Sequence, residues 1–127
     1  MALICFSALS CEKEPTTTDY RDGWVGSYNY NGENYSWLPT GYSPTTYFTG
    51  SLTVNAYEDS CVRIQLCDST AEEIVCKVGV DGSLKLVGNQ YRGFRGNFFD
   101  ADSLYFYCTN YTPGAGNAKE YHCKSER

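Results

Sequence analysis

The chain has 127 residues and a net charge of −5, with no Lys/Arg-rich stripe, which argues against a nucleic-acid partner. That length is one domain, able to bury about two-thirds of its unfolded surface around a single core. Twelve Tyr accompany six Phe and two Trp. This composition suits half-buried sheet surfaces and contact surfaces, and disfavours helices.

Residues 1–10, MALICFSALS, are uncharged and largely apolar. The run is about half of the ~20 residues a membrane-spanning helix needs, and reads as the end of a secretory leader. Residues 11–22, CEKEPTTTDYRD, carry six charges, one Pro and three Thr, the composition of a flexible tether. Ala8-Leu9-Ser10-Cys11 resembles the lipobox of bacterial lipoproteins, and Glu12-Lys13-Glu14 resembles the acid-rich signal of Bacteroidota-type surface lipoproteins. The resemblance implies that Cys11 is lipidated and that residues 1–10 are removed. It also implies that the protein sits on the outer membrane at the cell surface, held to the membrane by its lipid.

From Trp24 onward the apolar residues repeat with period 2, the pattern of half-buried strands. Trp24–Tyr30 places Trp24, Gly26, Tyr28 and Tyr30 on one face. Tyr47–Tyr57 does the same for Phe48, Gly50, Leu52, Val54 and Ala56, and Cys61–Cys67 for Val62, Ile64 and Leu66. Strands follow at Glu72–Val80, Ser83–Val87, Gln90–Phe99, Ser103–Thr109 and Ala118–Lys124, giving eight. Asp81-Gly82 marks a tight hairpin, because Gly accepts positive φ. Two longer gaps, Asn31–Thr46 and Asn110–Asn117, read as loops. Eight strands joined by hairpins predict a single antiparallel up-and-down barrel over residues 23–127, which leaves no exposed edge; a two-sheet β-sandwich is the alternative. Gly26, Gly50, Gly93 and Gly96 suit sharp barrel bends.

Gly23-Trp24-Val25-Gly26-Ser27-Tyr28 resembles the Trp-bearing first strand of lipocalin-like (calycin) barrels, especially the opening of small Bacteroidota-type lipoproteins with such domains. Phe99-Asp100-Ala101-Asp102-Ser103-Leu104, a Gly-rich loop and a closing strand extend that likeness over most of residues 22–124.

Cys5 belongs to the leader and Cys11 to the lipid, leaving Cys61, Cys67, Cys76, Cys108 and Cys123, an odd number. Cys61 and Cys67 fall on the polar face of one strand, Cys76 and Cys108 on apolar faces. A straight strand holds Cys61 and Cys67 about 20 Å apart, too far to bridge; the pairing of the others stays open. No spacing matches a zinc site, and no cofactor or metal is expected. His122 shares a strand face with Glu120 and Lys124, turned to solvent, without a nucleophile or orienting acid in view, so no catalytic residue is assigned.

The gap at 31–46 carries Tyr35, Trp37 and Tyr42 among Gly, Pro, Asn and Thr. Aromatic rings at a barrel mouth can stack on sugar rings or close a partner surface; alternatively Trp37 and Leu38 fold back to cap the barrel. Asp68-Ser69-Thr70 matches the short pattern at which Bacteroidota-type exported proteins are O-glycosylated, which makes Ser69 a candidate. The expected function is a lipid-anchored envelope module that binds a glycan or protein partner without catalysis. The alternative is an inhibitor of a lysozyme-like or other hydrolase, since an acidic barrel steers toward a basic target.

Overall fold

A computed structural model describes residues 19–126, so the leader, Cys11 and the start of the tether lie outside the described residues. A short 3₁₀ turn, Tyr20–Gly23, precedes nine strands: β1 (Gly26–Leu38), β2 (Gly41–Tyr42), β3 (Thr46–Tyr57), β4 (Cys61–Leu66), β5 (Glu73–Val78), β6 (Ser83–Leu86), β7 (Gly93–Phe99), β8 (Ser103–Thr112) and β9 (Ala115–Ser125). Each strand pairs antiparallel with the next, β1 pairing with β3 across the small β2 hairpin. β9 returns to β1 in a ten-residue register from Gly116 opposite Trp37 to Ser125 opposite Tyr28. That last pairing closes the sheet into an eight-stranded barrel with β2 as an appendage, and excludes the sandwich.

The expected alternation fills the barrel. Leu52, Val54, Val62, Ile64, Leu66, Ile74, Cys76 and Leu104 form its aliphatic centre, all at most 2 % exposed. Above them lies an aromatic layer: Tyr121 stacks on Phe106 at 4.4 Å, and meets Tyr30 and Phe48 edge-on at 5.1 and 5.4 Å. Below them Trp24 stacks on Phe98 at 4.9 Å. A small barrel whose lumen is filled by side chains is a packed core rather than a roomy vessel.

Three expectations change. Both predicted loops are largely strand: β1 runs on to Leu38, and β8 and β9 leave only Pro113-Gly114 between them. The strand starting at Glu72 stops pairing at Val78, and Val80 stands 79 % exposed in the hairpin, where Gly82 takes φ +90°. Cys61 does not face solvent as its polar strand face suggested. It is buried beside the 3₁₀ turn, whose Arg21 bonds its carbonyl. Among the described residues all five cysteines are free thiols, with only Cys67 exposed.

Candidate functional site: the open mouth

The two ends of the barrel are built differently. At one end the 3₁₀ turn acts as a plug. Asp19 caps it by accepting from the Arg21 amide, and the paired guanidinium, hydrogen-bonded to Asp19, holds that carboxyl down at about 2. Arg21 Nη1 donates to the carbonyls of Glu58 and Cys61 at 2.7 and 2.6 Å, Tyr20 Oη to Val78 O at 2.6 Å, and Trp24 Nε1 to Asp100 O at 3.0 Å. Glu58, Ser60 and Asp100 hold positive φ in the turns so clasped. Side chains reaching in from the plug thus fix backbone that these residue types rarely adopt.

At the other end the wall is uneven. β1, β8 and β9 outrun β4, β5 and β6, whose strands are four to six residues long. The inward positions of the tall wall become small or polar: Gly32, Asn34 and Ser36 on β1, Asn110 on β8, Asn117 and Lys119 on β9, aligned by register. Its outward positions carry the rings. Tyr111 is opposite Gly116, Gly116 opposite Trp37, and Trp37 opposite Tyr42, a lateral row across β8, β9, β1 and β2. Three strand spacings make it about 14 Å wide.

Gly116 has a reason to be Gly. A Cβ there would collide with the Trp37 ring and lie 2.7 Å from Tyr111 Cβ, so the indole rests flat on bare backbone. Tyr35 sits one step down, 6.3 Å from Trp37 between ring centres. Desolvation, and then the neighbouring Tyr107 hydroxyl, push its phenol up to about 12. Arg92 pins the row's end, lying 4.7 Å over the Tyr111 ring and donating to its carbonyl at 2.9 Å. A groove of about 450 Å³ runs alongside, lined by Arg92, Tyr111, Gly116 and Asn117 among others.

The structure therefore brings Tyr35, Trp37 and Tyr42 to one surface, as expected, but on paired strands and outside the barrel. Trp37 and Leu38 do not cap the mouth: Trp37 lies on the outer wall and Leu38 is 58 % exposed. Sequence reasoning missed Tyr111 and the inward-facing polar set. The available signal was the alternation of Tyr35 and Trp37 with Asn34 and Ser36, an inverted strand with its rings outward.

Ser69 is exposed in the turn joining β4 to β5, also at the open end. Asp68 Oδ1 accepts there from the amides of Thr70 and Ala71 at 2.9 and 3.1 Å, and the Thr70 hydrogen bonds hold the Asp68 carboxyl low. His122 faces outward, 4.0 Å from both Glu33 and Glu120, with Tyr105 Oη donating to Glu120 at 2.9 Å. Among the described residues no His, Cys, Asp or Glu cluster is arranged to hold a metal ion, and no helix is long and apolar enough to cross a membrane. Compared with protein-family models and with curated proteins, the chain matches none.

Proposed function

We propose that this chain is a binding module of the cell envelope, tethered to the outer membrane at the cell surface through lipidated Cys11, whose outer aromatic row takes a glycan chain. The observation that carries the binding reading is the row Tyr111–Trp37–Tyr42, set in register across four strands over a glycine. Its exposed rings are costly to leave in water and are not used to close the barrel, since Tyr42 is 82 % and Tyr111 44 % exposed. The C–H faces of a pyranose ring suit the negative faces of Trp and Tyr, and rings fixed on a sheet lose little entropy on binding. Lipid attachment rests on the Ala8-Leu9-Ser10-Cys11 motif. With this role the chain performs no catalysis.

The test is titration of the full chain with purified envelope polysaccharides, alongside Trp37→Ala and Tyr42→Ala. Wild type should bind at least one, and each variant should weaken it about tenfold or more, the ~1.4 kcal/mol or more that loss of a stacked anchor implies. No binding to any glycan, or binding that Trp37→Ala leaves intact, overturns the glycan assignment. Salt-sensitive binding to a basic lysozyme-like enzyme would instead favour the inhibitor role. The tether has its own readout: chain extracted from its membrane should begin at Cys11 and carry acyl mass.

A further inference from the structure

We propose that the inner side of the open mouth is a second binding site, for a small zwitterion: an α-amino acid with a short side chain. Its charged groups lie inside the wall, away from the rings of the outer row, and it shares only Asn110 and Asn117 with the groove beside that row. A cavity of about 140 Å³ lies above the aromatic layer, lined by Glu72, Tyr91, Cys108, Asn110, Asn117, Lys119 and Tyr121. At roughly 30 Å³ per water it holds about five waters, or a ligand of about five to seven non-hydrogen atoms.

The hydrogen-bonding capacity left over in this cavity is what points to the ligand. Tyr121 is 3 % exposed, its ring locked between Phe106, Tyr30 and Phe48. Its hydroxyl opens on the cavity and bonds no described residue. The oxygen is accessible from the cavity, so it is free to donate or accept there. Lys119 points inward beside Cys108, its register partner, and forms no hydrogen bond or ion pair among the described residues. Glu72 Oε2 takes both the Tyr91 hydroxyl and Gln90 Nε2; Oε1 takes neither. Asn110 Oδ1 accepts from the Arg92 amide and Asn117 Nδ2 donates to Asn34. That leaves Asn110 an amide donor and Asn117 an amide acceptor.

The cavity thus offers a cation, a phenol and an amide donor together with a carboxylate and an amide acceptor. Lys119 and Glu72 share the cavity without forming an ion pair of their own. An anion alone would meet Glu72, and a cation alone would meet Lys119. A molecule carrying both charges a few bonds apart satisfies both: its carboxylate toward Lys119 and Tyr121, its ammonium toward Glu72 and Asn117.

The experiment is an NMR titration of the full chain with L-alanine and glycine, with acetate and methylammonium as half-ligands. The amino acids should shift open-end resonances saturably, with a dissociation constant of about a millimolar for so small a ligand, and the half-ligands should bind far more weakly. Lys119→Met and Glu72→Gln should each weaken alanine about tenfold, the loss of one charge-assisted hydrogen bond. Tyr121→Phe keeps the ring packing and so tests the hydroxyl without disturbing the fold; it should weaken alanine about threefold or more. Absence of saturable shifts at tens of millimolar overturns the proposal. So does acetate binding as tightly as alanine with Glu72→Gln neutral, which would define an anion site. Neither failure touches the aromatic row, which is read by glycan binding and Trp37→Ala.

Discussion

The plugged end and the open end are made from the same strands, yet they dispose of their polar groups in opposite ways. At the plugged end, Arg21, Tyr20 and Trp24 each spend a donor on a turn carbonyl, and Trp24 closes over Phe98. At the open end Lys119, Tyr121 and Glu72 Oε1 keep capacity in reserve, and the large rings lie outside on Gly116. Because closure leaves no edge strand along the paired length of the wall, the barrel's stability does not need both ends finished. One end can carry the packing while the other carries surface for a ligand. Substitutions at the plugged end should therefore cost folding, and those at the mouth should cost binding.

Phe98→Ala is the severest test of that division. Phe98 is 2 % exposed and packs against Trp24 and Tyr28. Its loss should cost about 3–5 kcal/mol, seen as an earlier denaturant midpoint with an unchanged slope. Glycan affinity of the remaining folded molecules should match wild type; a specific loss of affinity would join the two ends.

The alkaline limb comes next. Burial pushes the Cys76 and Cys123 thiols from an ordinary 9.0 up to about 12, with Cys61 adding to the rise at Cys76. Both groups are protonated in folded and unfolded chains below pH 9, so they add no pH dependence there. As pH rises from 9 toward 12 the unfolded chain releases protons that the folded chain keeps, and stability falls. The expected loss is several kcal/mol across that window, and Cys76→Ala should lessen it by that thiol's share while Cys108 and Cys123 keep theirs. A flat alkaline limb in wild type would mean that the thiols are not sealed in the core.

Arg21→Ala removes the clasp on the β3–β4 turn. Two charge-assisted bonds to the Glu58 and Cys61 carbonyls are lost, and the denaturant midpoint should fall. Hydrogen exchange should speed up around residues 58–62 and stay unchanged at the mouth. Uniform acceleration would show that the plug supports the whole barrel rather than one end.

How much of this could be read from the chain follows the same division. Strands that line the core announce themselves, because inward Leu52, Val54 and Ile64 alternate with polar neighbours. The plug was half legible: Trp24 and the Asp81-Gly82 hairpin stood out, but burial of Cys61 depends on a turn forty residues earlier in the chain. The tall wall was misread as loop because above the core its inward side is Asn34, Ser36, Asn110 and Asn117. With no apolar inward face the period-2 signal is inverted and carried only by the outward rings of Tyr35 and Trp37, while NGENYSWLPTGYSPTT has the composition of turns. Closure was expected from eight strands joined by hairpins, but only the β1–β9 register decides between the barrel and the sandwich. The β8–β9 register puts Lys119 inside beside Cys108 and Tyr121 beside Phe106 under the mouth, a placement no local pattern marks.

Gly116→Ala should have the smallest effect on folding and is the sharpest probe of the mouth. The new methyl displaces the Trp37 ring from the backbone it rests on and crowds Tyr111. β9 keeps its ladder to β1 and β8 there, so the loss of stability should be about 1 kcal/mol, the scale of a local overpacking. The row Tyr111–Trp37–Tyr42 is broken at its centre, and glycan affinity should fall about as far as in Trp37→Ala. Near-ultraviolet circular dichroism reports the change in the indole's surroundings directly. If the ring moves and affinity holds, the glycan does not lie along the row, and the binding surface belongs beside it, in the groove lined by Arg92 and Asn117. If affinity falls with the ring, a single bare backbone position on β9 sets the geometry of the outer face.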